Sequence, residues 1–194
     1  SRERMIKEFT LERVSKAPSI FDLKKLEWLN GYYIRSMSID ELTQACIPFL
    51  QQAGHLPDDL TGVDMERLTE IIALSQERIK VLSEISEMND FFFGPPQYDP
   101  KSVRKTLTAK ARQVLMTLEK ELADTPWQSD ALEATVRDVA ERLEIKAKDA
   151  FQPLRVAITG SLVSPPLVES MKILGRETCL ERIRQGLALC DSQS

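Results

Sequence analysis

The chain has 194 residues, of which 42% are hydrophobic and 29% are charged, and its formal net charge at pH 7 is −4. This composition is ordinary for a globular protein with one or two packed cores, and it excludes a transmembrane helix because no run of about 18 apolar residues occurs. The acidic net charge argues against a generic nucleic-acid binder, and the odd number of cysteines excludes a disulfide scaffold, so we expect a cytoplasmic protein.

The first half of the chain has the pattern of helices joined by short loops. Apolar spacing and capping residues predict helices over 2–9, 22–35, 38–53 and 64–80. Ser38 and Glu41 have the spacing of a capping box. Arg78 lies beside the apolar stripe of the last of these helices, near its C-terminal end, where a surface arginine would complement the helix dipole.

Three consecutive aromatic residues, Phe91 to Phe93, precede Gly94-Pro95-Pro96. Such a cluster is typical either of a platform on which nucleic-acid bases stack or of an apolar plug between helices. We favour the plug for most of the three rings.

A long helical pattern follows over 103–123, and residues 124–126 interrupt it, so we place a domain boundary there. Ser129 is expected to cap the next helix, a short turn over 146–150 follows, and the last helix starts near Glu177. No alternating apolar and polar run is long enough for a sheet. The sequence therefore predicts an all-α helical cage with a leading segment 1–36 and two consecutive subdomains, 37–123 and 124–194.

The most informative stretch starts at Phe151. Apolar residues recur at intervals of three and four from Phe151 to Leu162, which predicts one buried helical face with Arg155 beside it. Gly160 permits a chain reversal. Ser164-Pro165 then has the form of a helix start, which would leave backbone N–H groups free to bind bases or phosphates.

The order QPLRVAITG…SPPL…LGRE…ERI over 152–183 resembles the anticodon-binding region of bacterial-type glutamyl-tRNA synthetases. The segment from Phe21 to Gly31, the pair Glu77-Arg78 and Trp127 extend the similarity over nearly the whole chain. The resemblance implies an all-helical module that holds the anticodon arm of a glutamate tRNA. The likeness of 14–16 to an ATP-gripping signature of that class is imperfect, and we interpret it as coincidental.

The resemblance also implies roles for individual residues. Arg78 matches the position that inspects the third anticodon base, and the first two bases are assigned to Arg155, Ser164, Pro165 and Leu167. Pro166 lacks a backbone donor where the family pattern has a small residue.

Charge is unevenly distributed along the chain. Residues 36–98 hold three basic and eleven acidic side chains, whereas residues 99–122 hold six basic and three acidic ones. We expect the second segment to attract the RNA backbone. The residues assigned to this contact are Lys101, Arg104, Lys105 and Arg112. A merely solvated surface would show the same pattern.

The chain lacks the signatures of catalysis. The only histidine, His55, has no ligand or nucleophile at a suitable spacing, and no glycine-rich phosphate loop occurs. We therefore expect no metal site, no cofactor and no catalytic residue in this chain. ATP and Mg²⁺ would belong to the catalytic half of a longer parent enzyme, and we expect a monomeric binding module with no affinity for membranes or DNA.

A second interpretation stays open at this point. An acidic helical bundle could be a scaffold that binds another protein through apolar grooves and needs no RNA. A gel-shift assay with tRNA at low and high salt separates the two interpretations, because phosphate contacts depend steeply on salt.

Overall fold

The computed structural model describes residues 2–13 and 22–191. This part of the chain forms eleven α-helices and two short 3-10 turns and contains no strand, which confirms the all-α prediction. The helices are α1 (Arg2–Glu8), α2 (Leu23–Ser36), α3 (Ile39–Gln52), α4 (Met65–Ser75), α5 (Glu84–Asn89), α6 (Pro100–Thr106), α7 (Ala109–Asp124), α8 (Ser129–Arg142), α9 (Ala147–Thr159), α10 (Leu167–Leu174) and α11 (Arg176–Asp191). The segment 14–16 lies outside the described residues.

Side-chain caps explain where several helices begin. The carboxylate of Asp22 accepts a hydrogen bond from Lys25 N, and that of Asp64 accepts one from Arg67 N. Ser38 and Glu41 form the predicted capping box. These contacts satisfy backbone donors that have no partner within the first helical turn.

The predicted helix over 64–80 was too long, because α4 ends at Ser75. Arg78 N donates instead to Ser75 O at 2.9 Å, which closes a tight turn. The buried Ser75 hydroxyl donates to Asn89 Oδ1 at 2.9 Å and ties this turn to the end of α5. Arg78 therefore lies on a turn, whereas the sequence predicted a helix end.

The predicted helix over 103–123 is two helices, α6 and α7, separated by Leu107 and Thr108. Leu107 leaves the helical region with φ −87° and ψ 61°, and its side chain is completely buried. The flanking residues Thr106 and Thr108 are β-branched and have low helix propensity, so interrupting the helix here costs little free energy. The apolar register of the prediction is nevertheless correct from Leu107 onward.

Two helix starts also differ from the prediction. Gln128, and not Ser129, is the N-cap of α8. The residues predicted as a turn over 146–150 are the first turn of α9, with Lys146 as its N-cap.

The helices pack around two main apolar cores. The first core joins α3, α4 and α5, and the second joins α6 to α11. A third cluster, which we call the join, packs Phe91 and Phe92 with Ile71 of α4 and Leu174 of α10. The boundary expected at 124–126 lies within the second core, since α7 packs against α8, α9 and α11.

The aromatic residues before Gly94 serve mainly as the expected plug. Phe91 and Phe92 are 3% and 5% exposed, and their rings are in contact at the join. Phe93 is half-buried and stacks on His55. The first two rings therefore offer no open platform for nucleic-acid bases.

Helices α1 and α2 add little to either core. Most of the exposed large apolar side chains are in this part of the chain, and Ile34 is its one residue in the first core. Within the ranges that the structure describes, no helix has the length and apolar character required to cross a membrane.

Candidate nucleic-acid interface

Arg155 lies on α9 and is half-buried. It packs against the connection between α9 and α10, residues 160–166, which we call the corner. Its Nη1 atom donates to Ser164 Oγ at 2.5 Å and to Pro165 O at 2.8 Å. The guanidinium plane is therefore fixed at one edge by two acceptors from the same corner. A planar group held in this way loses little further freedom when it binds a ligand.

The other edge of the Arg155 guanidinium stays available. Nε and Nη2 have no hydrogen-bond partner among the described residues, and no buried side-chain polar atom of these residues is left unpaired. These two nitrogens consequently reach solvent. Arginine only donates hydrogen bonds, so the open edge suits an acceptor such as a base oxygen, a ring nitrogen or a phosphate.

The corner owes its shape to Gly160. This residue ends α9 with φ +81°, and its carbonyl accepts a hydrogen bond from Asp99 N at 2.9 Å. A Cβ atom at Gly160 would overlap the backbone carbonyl of Gln97. Leu162 N also donates to Ser102 Oγ at 3.2 Å. The corner is thus pinned to the start of α6.

The helix start predicted at Ser164-Pro165 was placed too early, because α10 begins at Leu167 with Pro166 as its N-cap. Pro165 and Pro166 have no backbone N–H, so the N–H groups of this helix start begin at Leu167. The buried Ser164 hydroxyl donates to Pro165 O at 3.2 Å and accepts from Arg155. Leu167 is 3% exposed and belongs to the second core.

Arg78 is exposed on its turn and lies near Arg155, although the two are far apart in the sequence. Burial lowers the pKa of Arg155, and the positive charge of Arg78 lowers it further. Neither guanidinium forms an ion pair with a carboxylate of the described chain. We call Arg78 and Arg155 the arginine pair. Two nearby positive charges that are not balanced by a carboxylate favour a ligand with negative charge or exposed hydrogen-bond acceptors.

A second group of positive charges lies on α6 and the start of α7. Its members, which we call the basic face, are exposed: Lys101, Arg104, Lys105 and Arg112. Nη1 of Arg112 contacts Met116 Sδ at 3.0 Å. Because α6 packs against α9, the basic face lies beside the helix that carries Arg155.

A cleft of about 880 Å³ opens beside the corner, between the first and second cores. Ser161, Val163 and Ser164 line one side. The carboxylates that line it are Glu84, Glu87, Asp90 and Asp99. Their negative charges repel phosphate groups, which favours a path for an RNA backbone along α6 over one through the cleft.

The described residues hold no group of three or more His, Cys, Asp or Glu side chains arranged to bind a metal ion. His55 Nε2 lies 3.5 Å from Asp90 Oδ1, and the imidazole ring stacks on Phe93. No serine or cysteine takes part in this contact. The contact between His55 and Asp90 connects the loop after α3 to the residues next to the join.

A family model described as an anticodon binding domain matches residues 41–187. The chain belongs to this family. The match covers most of both main cores, the arginine pair and the basic face, and it confirms the family resemblance seen in the sequence.

Curated relatives and solved structures agree with the family. The chain is 37% identical over 94% of its length to a glutamate–tRNA ligase of Symbiobacterium thermophilum, and 39% identical over 93% to one of Moorella thermoacetica. It spans 38% of each of these relatives. A crystal structure of a glutamate tRNA ligase from Elizabethkingia meningosepticum, in complex with its amino acid, superposes with a TM-score of 0.77 at 25% identity, covering 97% of this chain and 36% of that one.

The structure thus brings together two of the residues singled out in the sequence and gives three others a supporting position. Arg78 lies close enough to Arg155 for its charge to lower the pKa of that residue, while Ser164, Pro165 and Leu167 are buried. Sequence reasoning missed Asp99 and Ser102, which hold the corner from α6. The order Asp99-Pro100-Lys101-Ser102 is a helix-start pattern and signals the cap, but it does not signal the contact with the corner.

Proposed function

We propose that this chain is the anticodon-binding region of a glutamate–tRNA ligase and that its partner is a glutamate tRNA. The family and the similarity to glutamate–tRNA ligases support this function, and the arginine pair is the structural observation that carries it. The positive charge of Arg78 lowers the pKa of Arg155, and neither side chain forms an ion pair with a described carboxylate. Arg155 is also held at one edge of its guanidinium and has an open donor edge. Single-stranded RNA offers base edges that match such donors.

The whole protein, on this proposal, attaches glutamate to the 3′ end of its tRNA at the expense of ATP. The chain spans little more than a third of the curated relatives, so we assign ATP, Mg²⁺ and the chemistry to the remainder of that protein. We also propose that the protein acts as a monomer in the cytoplasm.

We assign Arg155 to the first two anticodon bases. Ser164 and Pro165 hold its Nη1 edge, so Nε and Nη2 point to one place before RNA arrives. Leu167 anchors the start of α10 in the second core and keeps the corner in position. The four residues therefore work as a unit in which only the arginine donates to the base.

The basic face would follow the RNA backbone. Lys101, Arg104 and Lys105 are exposed and form no ion pair with a described carboxylate. Exposed cations of this kind attract phosphates and release counterions, whatever the base sequence.

Arg78 would read the third base, where glutamate and glutamine tRNAs carry cytosine and guanine. Cytosine presents O2 and N3 as adjacent acceptors to a guanidinium. Guanine presents N1–H and N2–H at the corresponding edge, so donors would face donors, at a cost of about 1–3 kcal/mol. On this assignment, the parent enzyme accepts glutamate tRNA and rejects glutamine tRNA.

The test uses RNA hairpins that carry the glutamate anticodon or the same loop with guanine at the third base. We expect the chain to prefer the first hairpin, and Arg78→Gln to remove the preference while leaving the affinity for the second hairpin nearly unchanged. The matched control is Arg35→Gln, an exposed arginine of α2 outside the arginine pair.

Equal binding of both hairpins by the wild-type chain would refute the role of Arg78. A complete lack of salt-dependent RNA binding would refute the whole proposal and favour the protein-binding scaffold. An unchanged preference in Arg78→Gln would show that another residue reads the third base.

A further inference from the structure

Arg182 of α11 connects the two halves of the molecule from a buried position. It is 6% exposed, and its Nη1 donates to Ile158 O at 2.9 Å. Its Nη2 donates across the join to Phe91 O at 2.7 Å and to Gly94 O at 2.9 Å. Phe91 is 91 residues away in the sequence. The guanidinium of Arg182 is thus hydrogen-bonded to α9 through Nη1 and to the segment after α5 through Nη2.

Arg182 forms no ion pair with a carboxylate of the described residues. Burial lowers its pKa, as expected for a cation removed from water. Three carbonyl dipoles replace the lost hydration, and each sets a distance and an angle. The apolar contacts of Phe91 and Phe92 at the join are non-directional by comparison, so they allow sliding that the hydrogen bonds do not.

The two ends of this bridge lead directly to the arginine pair. On the first side, Arg78 N bonds to Ser75 O, and the Ser75 hydroxyl bonds to Asn89, just before Phe91. Ser75 and Asn89 are completely buried. On the second side, Ile158 lies one turn after Arg155 on α9. Hydrogen bonds, joined by the backbone of 89–91 and 155–158, therefore connect Arg78 to Arg155 through Arg182.

We propose that Arg182 is a positioning residue that fixes the separation of Arg78 and Arg155, so that the first two anticodon bases and the third are read together. This inference rests on the proposed function for its RNA part. Arg182 itself touches no RNA, because its guanidinium is buried between the two cores. Its loss would leave each arginine intact and loosen the distance between them.

The test compares Arg182→Gln and Arg182→Lys with Ile183→Val. Ile183 is the next residue of α11 and is fully buried in the second core, but it is not part of the join. The control therefore weakens α11 packing without cutting the bridge. Circular dichroism first establishes a temperature at which all four proteins are folded.

The RNA-free measurement is a distance between spin labels on the two halves, at Glu66→Cys of α4 and Asp138→Cys of α8, both exposed positions. We expect a narrow distribution in the wild-type chain and in Ile183→Val, and a broad one in Arg182→Gln. Arg182→Lys should fall between them, because one ammonium cannot reproduce the two-ended fork. An equally narrow distribution in Arg182→Gln would overturn the inference.

The RNA measurement uses the hairpins described above together with one altered at the second base. A loose join lowers the effective concentration of the second contact, so we expect Arg182→Gln to lose on the order of tenfold in affinity for the glutamate hairpin. The preferences at the second and third bases should weaken together, whereas Arg78→Gln weakens only the third. A uniform loss with both preferences intact would reduce Arg182 to a stabilising residue and overturn the inference. If no variant binds RNA, the proposed function fails, and the spin-label distances still decide whether Arg182 holds the join.

Discussion

Arg155 and the residues of the basic face carry the same positive charge in different surroundings. Arg155 is half-buried, and a hydroxyl and a carbonyl of the corner hold one edge of its guanidinium. Lys101, Arg104 and Lys105 extend from α6 into solvent. The first arrangement fixes where a donor points before a ligand arrives, and the second leaves the donor free to follow one.

This difference separates two kinds of recognition. A fixed donor can favour one base over another, because a wrong base leaves polar groups unpaired. A mobile surface cation interacts with any phosphate and is screened by salt. We therefore expect Arg155 to contribute to sequence preference through its fixed edge, and the basic face to determine the sequence-independent part of the affinity.

The largest effect should come from disturbing the corner that holds Arg155, and we expect it in the free energy of unfolding. Gly160→Ala places a Cβ against Gln97 O at φ +81°, so we expect the free energy of unfolding to fall by about 3–5 kcal/mol through strain and overlap. Urea denaturation measures the change. Gly54→Ala is the matched control, because Gly54 has φ +77° with nothing within 4 Å and should lose only about 1 kcal/mol. Equal losses would mean that the contact with Gln97 does not hold the corner.

Neutralising the basic face should cost affinity without changing preference. We expect replacement of Lys101, Arg104, Lys105 and Arg112 by glutamine to weaken RNA binding by on the order of 2–3 kcal/mol at physiological salt, and to flatten the salt slope by about 0.7 for each phosphate that is no longer neutralised. Filter binding over a salt series measures both quantities for matched and mismatched hairpins. The control replaces the same number of exposed lysines elsewhere, at Lys24, Lys146, Lys148 and Lys172. A loss confined to the matched hairpin would reverse the roles of the two regions.

Arg155→Ala should have a smaller effect on affinity and a larger one on preference. We expect a loss of roughly 1–3 kcal/mol for the hairpin with the glutamate anticodon, by analogy with other base-edge contacts. Hairpins altered at the first two bases should lose much less, which isothermal titration can show. Arg155→Lys keeps the charge without the fork and should recover little of the loss. If Arg155→Ala unfolds the chain at ambient temperature, Arg155 is a structural residue and its assignment to the bases is wrong.

The smallest effect concerns the buried thiols of Cys46 and Cys179. Burial keeps these thiols neutral because it disfavours the charged thiolate form. Burial raises the pKa of Cys179 to about 12 and that of Cys46 to about 11, from an ordinary value of 9.0. Above pH 9 the unfolded chain loses these protons while the folded chain keeps them, so stability falls as pH rises from about 9 toward 11–12. We expect a loss of roughly 1 kcal/mol for each thiol near pH 10. Urea denaturation of Cys46→Ala and Cys179→Ala against wild type at about pH 8 and about pH 10 measures this contribution, and identical pH dependence in all three proteins would contradict it.

Local patterns in the sequence were sufficient for much of the secondary structure. The capping box at Ser38 and the buried stripe from Leu68 to Ile79 are both correct. The end of α4 at Ser75 could not be read in the same way, because it depends on a hydrogen bond to Asn89 that is made only after α4 and α5 pack together. The start of α10 was missed for a related reason, since the Ser164 hydroxyl turns to Arg155 and not to the helix backbone.

The sequence by itself determined that the chain is all-α and belongs with anticodon-binding modules, because apolar periodicity, caps and motif order are local properties of the chain. Only the tertiary structure decided that Arg78 and Arg155 are neighbours, that Ser164 supports Arg155 and that Arg182 bridges the two cores. These relations join residues far apart in the chain, and no local preference specifies them. They arise when the two cores meet at Phe91 and Phe92 and buried polar groups must find partners across the join.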